Sequence, residues 1–103
     1  MTKLRDLARV IRSKNAGALM VTLDVIFDDE AAYRRVRDSG VLSPRALAPL
    51  YGVSDNEVAV IPFDAALAIK ITVPRAVRAG SPGDGDVYGA QQHAPLIEIE
   101  IPD

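Results

Sequence analysis

Residues 18 to 27, ALMVTLDVIF, alternate well and predict a β-strand with one fully apolar side. The odd positions from Leu19 to Phe27 are all apolar, whereas the even positions include Thr22 and Asp24. A period of two is typical of a strand that buries one face and leaves the other accessible. We therefore expect Asp24 to lie on the open face of a sheet.

Further strands are predicted towards the C-terminus. Residues 57 to 73 contain two apolar runs joined tightly at residues 64 and 65, which indicates a β-hairpin. Lys70 interrupts the second run, and we expect it to face solvent on the open side of the sheet. Residues 96 to 101 alternate apolar side chains with glutamate, which predicts a half-buried closing strand with its glutamates outward.

Two short helices are predicted between these strands. Residues 28 to 30, DDE, suit an N-cap and an acidic first turn, and Gly40 is well placed to end that helix. Ser43, followed by proline, is a second start signal, and Gly52 is the matching stop. Pro49 lies inside the second segment, so we expect only one or two turns there.

The first ten residues fit two different structures. Leu4, Leu7 and Ile11 have helical spacing, whereas Leu4, Ala8 and Val10 also suit a strand, and periodicity alone favours the helix. The whole pattern predicts one α+β domain over residues 1–103. Its economical arrangement is an antiparallel sheet of four to five strands with two short helices on one face.

Composition excludes several kinds of function. The chain has no cysteine, which excludes disulfides, iron–sulfur clusters and zinc–thiolate sites, and its single histidine excludes a multi-histidine metal site within one chain. A net charge of -2 gives no basic field for nucleic acid or an anionic membrane. No apolar run is long enough for a membrane helix and no signal-peptide core is present, so we expect a cytoplasmic protein.

The first candidate site is the polar segment RSKNAG at residues 12 to 17. Cations beside Ser, Asn and Gly predict a turn whose backbone N–H groups and basic side chains cradle a small anion. The alternative is an ordinary turn, because Asn and Gly favour turns in any case, and the residue order is not a Walker motif. The candidate substrate-binding residues are Arg12, Ser13, Lys14, Asn15 and Gly17.

The second candidate lies in the long Gly-, Pro- and Asp-rich stretch from residue 74 to residue 95. Long loops in small domains are usually functional or disordered. Asp84 and Asp86 are candidates to hold a divalent cation, although the ligand spacing and the closing glutamate of a calcium loop are missing. The alternative is a solvated loop, and the sequence identifies no cofactor.

The third candidate is His93, the only histidine, in the motif YGAQQHAP. Histidine can act as an acid or a base near neutral pH. Gln91 and Gln92 add hydrogen-bond donors and acceptors suited to a carboxylate, amide or thioester carbonyl, and Tyr88 adds a hydroxyl or a stacking face. The alternative is a histidine that satisfies a backbone group at the start of the last strand. No serine or carboxylate is tied to it in sequence, so no catalytic triad is predicted.

Two segments, LRDLARVIRSKNAG and GSPGDGDVYGAQQHAPLIEIEI, resemble a family catalogued as domain of unknown function 4387, over nearly the whole chain. In its order of elements, that family resembles the small C-terminal domain of acyclic terpene utilisation (AtuA-like) proteins, where an LRDLA strand leads into a Ser-Gly-Asp-Lys-Gly turn. The resemblance implies a ferredoxin-like two-layer sandwich and a short edge strand over residues 3 to 10. Pro49 departs from the more regular second helix of the family.

The resemblance also implies a partner, because family members are typically encoded beside, or fused to, a large AtuA-like protein in clusters that look catabolic for branched acids or acyl-CoA thioesters. The leading hypothesis is a small subunit that contributes one wall of a carboxylate or acyl-CoA site. Residues 12 to 15 would bind the anionic end of the ligand or hold the partner, and Gln91, Gln92 and His93 would orient or protonate the reacting carbonyl. The alternatives are a stand-alone homo-oligomeric hydratase or isomerase with His93 as base, and a non-catalytic assembly or binding module. Exposed sheet edges predict self- or hetero-association in each case.

Overall fold

Antiparallel strands organise the computed structural model, which describes residues 1–17, 19–74 and 93–102. The strands are β1 (Thr2–Lys3), β2 (Val10–Asn15), β3 (Met20–Ile26), β4 (Ala59–Phe63), β5 (Ala68–Pro74) and β6 (Glu100–Ile101). The α-helices are α1 (Leu4–Leu7), α2 (Glu30–Ser39), α3 (Pro44–Tyr51) and α4 (Ala94–Ile97), and single 3-10 turns cover Asp55–Glu57 and Asp64–Ala66. No helix among these residues is long and apolar enough to cross a bilayer.

The main sheet has four strands in the order β2-β3-β5-β4, and every neighbouring pair is antiparallel. A separate two-stranded sheet pairs β1 with β6. The mixed α+β class and the antiparallel sheet predicted from the sequence are confirmed. The arrangement is compatible with a ferredoxin-like two-layer sandwich.

Strand β3 has the buried face that its alternation predicts. Val21, Leu23 and Val25 are fully buried, and the adjacent strand β5 turns its own apolar residues to the same side. That side is covered by α2 and α3, which bury apolar side chains against it, and Asp24 lies on the opposite side. The buried sheet and helix residues are Val21, Leu23, Val25, Ile69, Ile71, Val73, Tyr33, Val36, Leu47 and Ala48.

The two predicted helices begin and end at the predicted residues. The Asp29 side chain caps α2 by accepting hydrogen bonds from the N–H groups of Ala31 and Ala32, both at 3.3 Å. Helix α3 has Ser43 as its N-cap and proline at its first position. As predicted, α3 is only about two turns long, with eight residues and Pro49 in its second turn.

The N-terminal segment differs from the strand that the family resemblance implied over residues 3 to 10. Thr2–Lys3 is a strand, but Leu4–Leu7 forms one helical turn before β2 begins at Val10. The Ala8 N–H closes that turn on the Leu4 carbonyl at 2.9 Å, and the Leu4 N–H donates to the Ile99 carbonyl at 2.7 Å. In this turn the Leu4 side chain is completely buried in the core. A residue on an exposed edge strand would not need to be buried in this way.

The predicted closing strand over residues 96 to 101 is wrong for most of its length. Ala94–Ile97 is a short helix with proline in its first turn, and only Glu100–Ile101 is a strand. Leu96 and Ile101 are both fully buried, so the two segments anchor the chain end to the core. The expected outward glutamates are confirmed, since Glu98 is exposed and pairs with the side chains of Lys3 and Arg5.

A polar cluster ties α2 to the connection between β4 and β5. The buried Tyr33 donates a hydrogen bond to the Asp64 carboxylate, to which Arg37 also donates from Nη1 at 3.1 Å. Burial, followed by the hydrogen bond to Asp64, raises the pKa of Tyr33, and the hydrogen bond from Tyr33 lowers the pKa of Asp64. The cluster fixes the end of the hairpin against the helix.

Replacing Asp29 with alanine is expected to lower the free energy of unfolding by about 1 kcal/mol, because two N–H groups of α2 lose their acceptor. Urea unfolding measures the loss. The matched control is Asp28→Ala, which removes the same charge from an exposed neighbour without removing the cap. Equal losses in both variants would contradict a capping role.

Asp64→Asn is expected to reduce the acid sensitivity of the fold. Because the pKa of Asp64 is lower in the folded chain, its ionised form stabilises the fold above about pH 4, and that contribution disappears as pH falls through the folded pKa. The stability difference between wild type and Asp64→Asn should therefore shrink as pH falls below about 4. Urea unfolding across acid pH measures it, and a difference that stays constant with pH would refute the prediction.

Candidate functional site

Ser13 and His93 lie 80 residues apart in the sequence and meet in the fold. Ser13 belongs to β2, whereas His93 immediately precedes α4. The Ser13 Oγ accepts a hydrogen bond from the His93 backbone N–H at 3.2 Å and lies 3.4 Å from His93 Nδ1. The structure thus joins one residue of the first candidate segment to the histidine of the third.

The position of Ser13 on an edge strand explains this contact. Ser13 pairs with Leu23 of β3, so its side chain lies on the covered face of the sheet and is only 8% exposed. Strand β2 has no neighbour on its other side within the described sheet, which leaves room there for the chain end to approach. The fully buried Leu96 and a hydrogen bond from its N–H to the His93 carbonyl at 2.9 Å hold the histidine from the other direction.

The Ser13–His93 contact is compatible with either tautomer of the neutral imidazole ring. If the Ser13 hydroxyl donates to Nδ1, the neutral ring carries its proton on Nε2 and can donate to a carbonyl or carboxylate. If Nδ1–H donates to Ser13, Nε2 is an acceptor and can serve as a base. Since 3.4 Å is long for this hydrogen bond, the shorter bond to the backbone N–H does more to place the residue.

Ser13 acts as a positioning residue in this geometry. Its side chain is almost fully buried and its oxygen already accepts the His93 N–H, so it is poorly placed to attack a substrate. A serine nucleophile also needs a base that a third group orients, and no carboxylate contacts His93 within the described residues. The chemically available group is the half-buried imidazole of His93.

The turn predicted over residues 12 to 17 is present only at the end of that range, because β2 continues through Asn15. Its pairing with β3 runs from Val10 opposite Ile26 to Asn15 opposite Val21. The chain reverses only after this point, where the Ala16 N–H donates to the Met20 carbonyl at 2.9 Å. Gly17, at φ +93°, supplies the left-handed backbone that this reversal requires.

Because successive side chains of a strand point to opposite faces, the candidate residues of β2 are divided between two surfaces. Ser13 and Asn15 lie on the covered face together with His93. Arg12 and Lys14 lie on the open face, away from the imidazole. The anion-cradling group expected from their sequence proximity is therefore not assembled at one place.

The open face gives Arg12 a different partner. Arg12 Nε lies 3.3 Å from Asp24 Oδ2, and Asp24 also faces Lys70 on the next strand. Lys14, two residues further along β2 on the same face, pairs with Thr22 of β3. The Arg12–Asp24 pair was not predicted from the sequence, although the alternation of β3 and its short connection to β2 are the signals from which the register follows.

Five of the predicted site residues lie outside the described residues, and the predictions about them stand as predictions. Within the described ranges, no group of three histidine, aspartate or glutamate side chains is arranged to bind a metal ion. The five residues are Asp84, Asp86, Tyr88, Gln91 and Gln92.

A pocket that the sequence reasoning did not identify lies at the other edge of the sheet. It has a volume of about 270 Å³ and lies between the α2–α3 connection and β4. Apolar side chains make up most of its wall, including Leu42, Val60 and Ile69, and Arg37 also lines it. It is separate from Ser13, because β2 and β4 are the opposite edges of the sheet.

Ser13→Ala is expected to lower the free energy of unfolding by about 1–3 kcal/mol, because the His93 N–H loses its acceptor in a partly buried position. Hydrogen exchange of the His93 amide should accelerate at the same time. Thr22→Val is the control, since it removes a hydroxyl that is 5% exposed and has no described hydrogen bond. Unchanged exchange at His93 would show that the Ser13 contact does not hold the histidine.

A known protein family matches nearly the entire chain. The family model described as a domain of unknown function (DUF4387) matches residues 4–100. No curated protein and no solved structure is significantly similar to the chain. The matched range includes both Ser13 and His93, and it confirms the resemblance to this family that the two terminal segments indicated. The chain therefore belongs to the DUF4387 family.

Proposed function

We propose that this chain is a small partner subunit that supplies His93 to a carboxylate or acyl-CoA site completed by a larger AtuA-like protein. The observation that carries the proposal is the Ser13–His93 contact, in which a buried serine of an edge strand holds the only histidine of the chain. Such a contact presents one imidazole at the margin of the sheet. A chain of 103 residues has little material with which to enclose a substrate around it.

The location of His93 supports completion by a second protein. Strand β2 is an edge of the described sheet, so a partner can approach the covered-face residues Ser13 and Asn15 from the side. The cations of β2 project to the other face, so they do not provide the charge that an anionic substrate needs beside His93. In this proposal the larger protein provides that charge and most of the substrate-binding surface.

The chemical contribution of His93 is proton transfer to or from the reacting carbonyl compound, or donation of a hydrogen bond to its oxygen. A positioned acid or base accelerates such a step by roughly 10²–10⁴-fold. Ser13 governs which ring nitrogen is available, because its hydroxyl faces Nδ1 and leaves Nε2 to the substrate. Gln91 and Gln92 would orient the substrate carbonyl in the same site.

A second candidate is a non-catalytic assembly module, and one observation favours it. The shorter of the two contacts joins Ser13 to the backbone of His93 and not to its ring, as expected for a residue that only anchors the chain end. In that case His93 helps to shape an interface, and its replacement alters association but no chemical step.

Co-expression with an AtuA-like large protein from the same organism tests the proposal. The two chains should co-purify, and His93→Gln should leave the complex intact while lowering turnover of an acyl-CoA substrate by about 100-fold or more. The matched control is Lys70→Gln, on the open face of the sheet, which should retain turnover.

Each outcome of this experiment has a distinct meaning. Failure to co-purify with a large protein, together with no acyl-CoA turnover when one is added, refutes the subunit proposal. An intact, active complex carrying His93→Gln refutes the role of the imidazole. Loss of the complex in His93→Gln supports the assembly module instead.

A further inference from the structure

Thr22 is almost fully buried although it lies on the open face of the main sheet. Its side chain is only 5% exposed, and its hydroxyl makes no hydrogen bond with any residue that the structure describes. A buried hydroxyl without a partner lowers the stability of a fold, which a valine of similar shape would not do. The presence of a hydroxyl at this position is therefore best explained by a ligand that binds to it.

Thr22 lies in the middle of a polar row that crosses three strands. Lys14 of β2 is its direct partner on one side, and Thr72 of β5 is its direct partner on the other. Directly opposed side chains have Cβ atoms about 4.5–5.5 Å apart, so one small ligand can contact both threonine hydroxyls. Thr72 is half-buried and Lys14 is exposed, and neither side chain forms a hydrogen bond or an ion pair with the described residues. The row thus has three donors that are available to a ligand.

The charges of the adjacent row leave Lys14 as the cation available to a ligand. Asp24 forms an ion pair with Arg12 at 3.3 Å and faces Lys70 on its other side, so its carboxylate is matched within its own row. On the open face of the four strands, three cations lie beside this one carboxylate, whereas the whole chain has a net charge of -2. The open face is therefore locally cationic and suited to an anion.

The three donors indicate the kind of anion. A phosphate group has enough acceptor oxygens to accept hydrogen bonds from the Lys14 ammonium and from the hydroxyls of Thr22 and Thr72 together. Lysine binds phosphate as a point charge, and the two hydroxyls would fix the position of the group on the sheet. A carboxylate has only two oxygens for the same three donors, which makes it a poorer geometric match.

We propose that Lys14, Thr22 and Thr72 form a binding site for a phosphate group on the open face of the sheet. The group is either the free ion or the phosphate of a larger ester, since both have the chemistry that this row recognises. Binding gives the Thr22 hydroxyl the partner that it lacks among the described residues. The fold assembles this site, because Lys14 acts with its cross-strand neighbours and not with the other polar residues of the segment 12 to 17.

The proposed phosphate site is independent of the proposed function. Because side chains alternate along β2, Lys14 and Ser13 lie on opposite faces of the sheet, so the phosphate site and His93 do not share a surface. A chain that does not bind phosphate leaves the role of His93 unaffected. A complex that remains active without the imidazole likewise leaves the phosphate site unaffected.

Titration of the purified, isotope-labelled full chain with inorganic phosphate, followed by NMR at constant ionic strength, tests the proposal. Saturable shifts are expected at the amides of Thr22 and Thr72 and at the Lys14 side chain. Thr22→Val and Lys14→Gln should each weaken binding by about 10-fold or more, because each removes a hydrogen bond to a charged group. Arg45→Gln is the matched control, since it removes an exposed positive charge from α3 and not from the open face, and it should retain binding.

Thermal unfolding separates a binding role of Thr22 from a structural one. Without phosphate, Thr22→Val should be at least as stable as wild type, because the variant removes a buried hydroxyl that has no described partner. With phosphate, the Tm of wild type should rise and that of Thr22→Val should not.

Methyl phosphate distinguishes the two sources of the phosphate group. If it binds as tightly as inorganic phosphate, the site accepts the phosphate of an ester; if only inorganic phosphate binds, the site is specific for the free ion. Three results would each overturn the proposal: no saturable shift up to about 10 mM of either probe, shifts that lie away from this row, or a Thr22→Val chain that binds phosphate as tightly as wild type.

Discussion

Burial of one face of β3 is the constraint on which the rest of the structure depends. This strand pairs along its whole length with β5 and from Val21 to Ile26 with β2, so its side-chain alternation sets the alternation of both neighbours. Shifting either register by one residue would expose the buried apolar face. Truncation of one such side chain, such as Leu23, typically costs 2–5 kcal/mol, which exceeds the contribution of any single surface ion pair in this chain.

The same constraint places the uncharged and the cationic side chains of residues 12 to 15 on opposite faces of β2. Ser13 must share the covered face with Leu23, whereas Arg12 must share the open face with Asp24. Burial then removes the hydroxyl from solvent and makes it available to His93 from the end of the chain. The cationic side chains are kept on the far side of the sheet, so polar residues adjacent in sequence serve different surfaces.

The two edges of the sheet differ for a related reason. At β2 the C-terminal segment approaches an edge with which no other described strand pairs, and it brings the single histidine of the chain there. At β4 the strand remains apolar and exposed, and Pro62 opposes regular strand addition. The two edges therefore offer different surfaces: one carries a titratable group, and the other carries exposed apolar side chains beside a pocket.

The sequence by itself determined the elements whose signals are local: the alternation of β3, the Asp29 and Ser43 caps, and the hairpin at residues 64 and 65. At the N-terminus the helical spacing of Leu4 and Leu7 already favoured the turn that forms, against the strand implied by the family resemblance. Only the tertiary structure decided the C-terminal segment, where the buried Leu96 lies in a helical turn in place of most of the predicted strand. It also decided the Ser13–His93 contact, because no local pattern relates residues 80 positions apart. Local signals depend on backbone preferences and near neighbours, whereas a contact between distant segments depends on which surfaces the completed core leaves adjacent.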